Sequence, residues 1–192
     1  MRALEAAVDL NLVQGNLTLT MAGEQRPDIS ALVRAAQSGD RRAFARLHEQ
    51  FAGMVHGILL ARVPRGEVED LMQDVFLTAM NRLPSLREQD AFGGWLAAIA
   101  RNRATDYHRR SRETEELTDD MGATGHDDQE ARRVLNLIRT LPEAYRETLI
   151  LRFVEGLTGP EIAERTGLTP GSVRVNLHRG ITMLRERLGV TS

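Results

Sequence analysis

The feature that most constrains the fold is the stretch from residue 157 to residue 188, which carries the start and stop signals of two short helices. Thr158 is followed three residues later by Glu161, and this spacing is the capping box that begins a helix. Gly167 can take the positive φ that ends a helix, and Thr169, followed by a proline, can cap the next one. Two capped helices joined by a short glycine turn predict a helix-turn-helix.

The second of these helices has two different faces. Its apolar residues recur at helical spacing and should pack on a core: Val173, Leu177, Ile181, Leu184 and Leu188. Its other face begins with Arg174, Val175, Asn176, His178 and Arg179. Arginine can bond guanine or phosphate, asparagine can bond adenine, and valine can contact the thymine methyl group. This face is therefore predicted to contact DNA, with an ordinary solvated face as the alternative for this helix alone.

Composition favours an all-α protein. The chain has 192 residues, of which 42% are hydrophobic but only 4% aromatic, so aliphatic residues must build its cores. Apolar residues recur mostly three and four positions apart, which is the helical period. The absence of cysteine excludes disulfides and thiolate zinc sites. No apolar run approaches the roughly 20 residues of a membrane span.

The net charge of −2 conceals two concentrations of arginine, at residues 101–112 and 174–187, with acidic residues between them. For nucleic-acid binding the distribution of charge matters more than its sum. The first concentration lies on a helix predicted to begin near Asp90. Its polar outer side consists of Arg101, Asn102, Arg103, Asp106, Arg109, Arg110 and Arg112. Arginines that complement the C-terminal dipole of this helix are the alternative, but that explains Arg109 and not Arg101.

Three further helices are predicted before this one, over residues 28–39, from Asp40 onward, and over residues 67–83. The third of them is amphipathic, and its outer face carries Glu67, Asp70, Gln73, Asp74 and Leu77. An apolar residue beside an acidic stripe suits a partner-binding surface. A solvated face with one stray leucine is the alternative.

Two segments are expected to lie outside the helical units. Residues 1–27 are expected to form a poorly ordered extension, with a hairpin or a start codon placed too early as alternatives. Residues 113–130 are acidic and nearly devoid of apolar side chains, which predicts a flexible linker. This linker divides an N-terminal unit, residues 28–112, from a C-terminal unit, residues 131–192. In the second unit we expect helices over 130–140 and 142–155, with Tyr145, Leu149 and Phe153 supporting the recognition helix.

Three stretches resemble bacterial RNA polymerase sigma factors of the extracytoplasmic-function (ECF) group. They are residues 69–76 (EDLMQDVF), 95–110 (WLAAIARNRATDYHRR) and 141–180, which contains the helix-turn-helix. The last stretch alone is shared by many regulators, but all three in this order, across an acidic linker, are specific to the group. The resemblance covers about residues 29–188. The extension of residues 1–27 departs from it, because short members usually lack one.

The resemblance implies a role for each surface. Asp70, Gln73, Asp74 and Leu77 would bind the clamp helices of the polymerase β′ subunit. The loop of residues 84–91 and the helix of residues 95–110, including Trp95, would capture extruded bases of the −10 promoter element and help to melt DNA. Arg174, Val175, Asn176, His178 and Arg179 would lie in the −35 major groove. The inner surface of the C-terminal unit would bind the β flap, and an anti-sigma factor would be a further partner.

The resemblance thus predicts a cytoplasmic subunit, associated with the nucleoid when bound to polymerase, that confers promoter specificity. A stand-alone helix-turn-helix repressor or activator is the main alternative, and it would need a ligand pocket or a dimer face within residues 28–110. An enzyme is the third possibility considered. The five histidines are scattered and no recognised catalytic motif is present, so we expect no catalysis, no metal and no cofactor.

Overall fold

The computed structural model describes residues 28–114 and 126–189, with side chains described for residues 28–111 and 133–189. Within these residues the chain forms α-helices and three short 3-10 turns and contains no strand, so the all-α prediction is confirmed. The helices are α1 (Ile29–Gln37), α2 (Arg41–Leu60), α3 (Val68–Arg82), α4 (Phe92–Thr114), α5 (His126–Arg139), α6 (Glu143–Phe153), α7 (Gly159–Thr166) and α8 (Pro170–Leu188). The expected extension of residues 1–27 lies outside the described residues.

The predicted caps begin the helices as expected. The side chain of Asp40 accepts hydrogen bonds from the main-chain N–H groups of Arg42 and Ala43, which starts α2. Thr158 and Glu161 form the reciprocal capping box of α7. Gly167 then takes φ 73°, a left-handed conformation that an L side chain rarely adopts, and ends the helix. These predicted caps are confirmed. They could be predicted because each depends only on residues within one turn of the cap.

Helices α1 to α4 share an apolar core whose largest fully buried side chains include Leu47, Met54, Ile58, Phe92 and Leu96. In the C-terminal unit α8 lies closely on α6. A Cβ added at Gly180 would lie only 3.0 Å from Leu149 Cδ1, so a larger residue there would separate the two helices. The predicted inner face of α8 is confirmed, with Val173 and Leu184 buried and Leu177, Ile181 and Leu188 packed against the core.

The expected supporting residues of α6 behave differently from one another. Leu149 is fully buried and Tyr145 is half-buried, and both lie next to Gly180 of α8. The assignment of Phe153 to this support was wrong, since its side chain is 36% exposed. Phe153 is the last residue of α6, where the chain leaves the helix and the core.

Both ends of the segment predicted as a linker are helical. Helix α4 continues to Thr114, and α5 begins at His126, four residues before the expected start. The rest of the predicted linker, residues 115–125, lies outside the described residues.

The two units pack directly on each other, α2 and α4 of the first against α6 and α7 of the second. Two glycines mark the closest approaches. A Cβ added at Gly57 would lie 2.8 Å from Leu151 Cδ2, and one added at Gly93 would lie 2.6 Å from the main-chain oxygen of Arg165. The pattern of the sequence does not predict this contact between the units. None of the helices in the described ranges combines the length and apolarity needed to cross a membrane.

Candidate nucleic-acid and polymerase interfaces

The outer face of α8 presents the side chains predicted to contact the −35 element. Arg174, His178 and Arg179 are exposed, and Val175 is exposed on 45% of its surface although it is apolar. Asn176 differs from them, because it is half-buried and its Nδ2 lies 3.4 Å from Oγ1 of the buried Thr148 on α6. Asn176 therefore sits at the boundary between the inner and outer faces of α8.

The predicted −10 residues divide into exposed and anchored side chains. Asn102, Arg109 and Arg110 are exposed along α4. Arg109 pairs with Asp106 one turn earlier at 3.0 Å. Arg103 is half-buried and donates to Oγ1 of Thr78 on α3 at 2.7 Å, which anchors one side of α4 to the core of its own unit.

Trp95 is half-buried near the start of α4, its ring 5.8 Å from that of Phe92. It borders a pocket of about 440 Å³ between the two units. The N-terminal unit supplies most of this pocket, through Gly94, Trp95 and residues of the preceding loop: Leu86, Arg87, Glu88, Asp90 and Ala91. Glu164 and Gly167 at the end of α7 supply the rest of its wall.

Arg101, the first of the predicted basic residues on α4, is engaged by the other unit. Its Nη2 and Nε donate to the two carboxylate oxygens of Glu147 on α6, at 2.7 Å and 3.2 Å. Arg62, two residues beyond the end of α2, contacts the same carboxylate at 2.5 Å and Glu143 at 2.6 Å. Glu147 is only 4% exposed, so one buried carboxylate of the C-terminal unit contacts two arginines of the N-terminal unit.

The electrostatic setting of Glu147 follows from this arrangement. Burial alone raises the pKa of a carboxyl group, but the hydrogen bond from Arg101 and the charges of Arg62 and Arg101 act in the opposite direction. Their combined effect prevails, and the pKa of Glu147 is lowered. The carboxylate is therefore charged at neutral pH despite its burial.

Other polar contacts also join the two units. The guanidinium of Arg139 on α5 donates to the main-chain oxygens of Leu60 and Val63, where α2 ends, at 3.0–3.1 Å. Arg165 on α7 donates to the main-chain oxygen of Gln50 at 3.0 Å. The two arginines thus donate to three main-chain carbonyl groups of the opposite unit.

An imidazole joins the units in the same region. His56 Nδ1 on α2 lies 2.6 Å from Glu155 Oε1, just beyond α6. The hydrogen bond to Glu155 raises the pKa of His56 above its ordinary value of 6.5, against the opposing effect of burial. The charge of Glu69 acts in the same direction as Glu155, and that of Arg65 opposes it.

The outer face of α3 carries the predicted polymerase contacts. Asp70, Gln73 and Asp74 are exposed, and Leu77 is exposed on 54% of its surface. Met80, which the sequence interpretation did not include, is 48% exposed. Its position three residues after Leu77 places it on the same helical face and could have identified it. The described side chains contain no cluster of histidine and carboxylate groups suited to a metal ion.

Comparison with known families identifies the chain. The family described as "Sigma-70 region 2" matches residues 47–114, and the one described as "Sigma-70, region 4" matches residues 131–184. The ECF RNA polymerase sigma-E factor of Haemophilus influenzae is 31% identical over 184 residues, which cover 86% of this chain and 97% of that protein. The chain belongs to the family of ECF RNA polymerase sigma factors.

Two further proteins show the extent of the similarity. This sigma factor is 31% identical to the ECF RNA polymerase sigma factor BldN of Streptomyces coelicolor over 82% of its length, but it spans only 64% of that relative. The solved structure of CnrH in complex with the cytosolic domain of CnrY superposes with a TM-score of 0.61 at 25% identity. That superposition covers 85% of this sigma factor and 99% of CnrH. As a member of the family, the chain is an alternative sigma factor that directs the initiation of transcription.

Proposed function

We propose that this sigma factor binds core RNA polymerase through α3, the −10 element through residues 84–91 and α4, and the −35 element through α8. The observation that carries the proposal is the separation of three chemically distinct surfaces on three helices. The exposed face of α3 combines acids with Leu77 and Met80, which suits the β′ clamp helices. The face of α8 exposes arginines, a histidine and Val175, which suits a major groove.

The −10 element would be captured in single-stranded form. Extruding a base from a duplex costs a few kcal/mol, and stacking together with phosphate contacts can offset that cost. The pocket beside Trp95 offers an aromatic ring and a charged loop for this purpose. Asn102, Arg109 and Arg110 along α4 would hold the adjoining strand, since they are exposed on the same helix.

The packed units would have to separate before DNA is bound at both elements. Glu147 occupies the guanidinium of Arg101 much as a phosphate would, and α7 supplies part of the wall of the −10 pocket. The free protein would therefore bind duplex promoter DNA weakly. Core polymerase would open the contact and set the distance between the two units, which raises their effective concentration on one promoter.

The proposal includes protein partners beyond the clamp. Phe153 and Val154 are 36% and 48% exposed on the C-terminal unit, and this apolar pair suits the β flap. CnrH has been solved with the cytosolic domain of CnrY, which supports an anti-sigma factor as a regulator of this chain. The chain would act in the cytoplasm, at the nucleoid when bound to polymerase, and without catalysis of its own.

Run-off transcription tests the proposal. Purified core polymerase is supplied with promoter fragments of the source genome, including the region upstream of the protein's own coding sequence, with and without the protein. Specific transcripts that require the protein, and that are lost when their −10 or −35 sequences are changed, are the expected result. Tight binding to duplex DNA without polymerase, together with no co-elution with core enzyme, would contradict it and favour a stand-alone repressor or activator.

A further inference from the structure

The loop that lines the −10 pocket is held at its base by one side chain of α1. Gln37, the last residue of α1, donates from Nε2 to the main-chain oxygens of Leu83 and Leu86, at 3.0 Å and 2.7 Å. Its Oε1 accepts a hydrogen bond from Nε2 of Gln89 at 3.3 Å. One half-buried amide thus joins the two 3-10 turns that bound the loop, Leu83–Ser85 and Gln89–Ala91.

The chemistry of a primary amide suits these contacts. Its nitrogen carries two hydrogens and can serve two acceptors at once, while its oxygen accepts a third bond. The oxygens of Leu83 and Leu86 come within its reach because the main-chain N–H of Leu86 bonds back to Leu83 at 3.0 Å and closes the turn. Glutamate at position 37 would have no hydrogen to donate when ionised, and alanine would make none of the three bonds.

A second residue of α1 holds the other side of the loop. Ser30 lies seven residues before Gln37, which places both on one face of the helix. Its hydroxyl hydrogen-bonds to the carboxylate of Asp90. Between the two attachments, Arg87 and Glu88 are exposed at the tip of the loop and line the pocket. Helix α1 therefore contacts both sides of the loop and leaves its tip open.

We propose that Gln37 is a positioning residue that sets the −10 base preference of this sigma factor by fixing the shape of this loop. The inference rests on the function proposed above. It adds a role for a helix outside both family matches, because the match to region 2 begins at residue 47, ten residues after Gln37. Gln37 does not line the pocket, so it acts through the carbonyl groups and side chain that it holds.

Transcription with holoenzymes of wild type, Gln37→Ala and Gln37→Glu tests the inference. Each is assayed on promoters with single-base changes in the −10 element and on a second panel with changes in the −35 element. Each lost hydrogen bond should reduce the equilibrium constant for holding the loop in this shape by a factor of about five. The −10 preference should therefore fall several-fold in both variants. The −35 preference and the affinity for core polymerase should not change.

The control is Ser38→Ala, because the hydroxyl of Ser38 bonds to the main-chain oxygen of Arg34 within α1 and does not reach the loop. It should keep the wild-type −10 preference. Thermal unfolding shows which variants fold. If Gln37→Ala does not fold, Gln37→Glu, which keeps the size of the side chain, is the variant whose −10 preference tests the inference.

Two results would overturn the inference. An unchanged −10 preference in a folded Gln37 variant excludes the positioning role, and an equal loss on both promoter panels shows a merely structural one. A wild-type protein without any −10 preference would instead overturn the proposed function itself, so the two failures are distinguishable.

Discussion

The carboxylate of Glu147 accepts two hydrogen bonds from the guanidinium of Arg101, and this pair lies across the contact between the two units. Arg101 belongs to the helix proposed to bind the −10 element, whereas Glu147 belongs to the unit that carries α8, the helix proposed to bind the −35 element. Because Glu147 is buried, its charge depends on arginines that the other unit supplies. We call the arrangement in which the two units pack on each other closed. In the closed arrangement Glu147 occupies Arg101, so Arg101 becomes available for DNA only when the units separate.

Glu147→Gln should open the contact between the units. Removing one partner of a buried charge pair costs about 3–5 kcal/mol, and separation lets the arginines regain water. Energy transfer between dyes on Arg46→Cys and Glu186→Cys, both exposed and in different units, would measure the opening. The chain has no cysteine of its own, so both dyes attach where intended. Transfer should fall while helical content is retained.

Glu143→Gln is the matched control for this experiment. Glu143 also contacts Arg62, but its side chain is 62% exposed, so its loss should change energy transfer little. A double-mutant cycle of Glu147→Gln with Arg101→Gln should show strong coupling. Unchanged transfer in Glu147→Gln, with no coupling to Arg101, would contradict the link between this pair and closure.

The closed arrangement should weaken as pH rises. Hydrogen bonding to Glu155 raises the pKa of His56 in the closed form, so that form binds the proton more tightly than the open one. The stabilisation of the closed form by protonated His56 is complete below pH 6.5, the ordinary pKa of histidine, and is lost as pH rises through the raised pKa of His56. The free energy of closure should change by about 1 kcal/mol or less over this pH range, because the His56 side chain is 32% exposed and solvent screens its charge.

Energy transfer between the same two dyes, followed from about pH 6 to about pH 9, measures this dependence. His56→Gln keeps a polar group at the position but does not titrate, so its profile should be flatter over this interval. A variant with the same pH profile as wild type would assign the dependence to another group.

Arg174→Ala should affect promoter recognition in one of two ways. If Arg174 contacts a base, one −35 position should lose about 1–3 kcal/mol of discrimination, and if it contacts phosphate, all sequences should weaken alike. Single-base promoter variants assayed with holoenzyme distinguish the two. Arg187→Ala is the control, since Arg187 lies near the other end of α8 and bonds to Thr140. Equal activity of Arg174→Ala and wild type on every promoter would exclude a −35 contact.

Asp74→Arg should block docking on polymerase without disturbing the fold. Asp74 is exposed in the middle of α3, so the substitution reverses a surface charge and leaves the core intact. Co-elution with core enzyme should be lost, while the thermal unfolding midpoint stays close to that of wild type. Glu49→Arg makes the same charge change at an exposed position of α2 and should still co-elute. Normal co-elution of Asp74→Arg would show that this face of α3 is not the docking surface.

Much of the fold could be predicted because its signals are local. The capping box of Thr158 and Glu161, the turn at Gly167 and the inner face of α8 each depend on residues a few positions apart. Met80 could have been found by the same reasoning, because it continues the exposed face of Leu77. Asn176 was predicted on the outer face, whereas it is half-buried where the inner and outer faces of α8 meet, near Thr148 of α6.

The contacts across the molecule could not be predicted in this way. Glu147 stands between Arg146 and Thr148 in α6, and its partner Arg101 lies 46 positions earlier in the chain. Gln37 and Leu86 are separated by 49 positions. No periodicity of the sequence connects residues so far apart, and a charged or amide side chain is ordinarily expected in solvent. Only the packing of the helices brings these groups together.

The contact between the two units limits which residue types fit at positions 57 and 93. At Gly57 the space of a side chain is filled by Leu151 and Glu155 of the opposite unit. At Gly93 it is filled by the main chain of Arg165 of that unit and by Phe51 of its own unit. A bulkier residue at position 57 would meet atoms of the opposite unit alone, whereas one at position 93 would also press on Phe51 of its own unit. Homologues could therefore be sorted by position 57, before any of their structures is determined, into sequences that leave room for this contact and sequences in which the residues equivalent to Leu151 and Glu155 must shift.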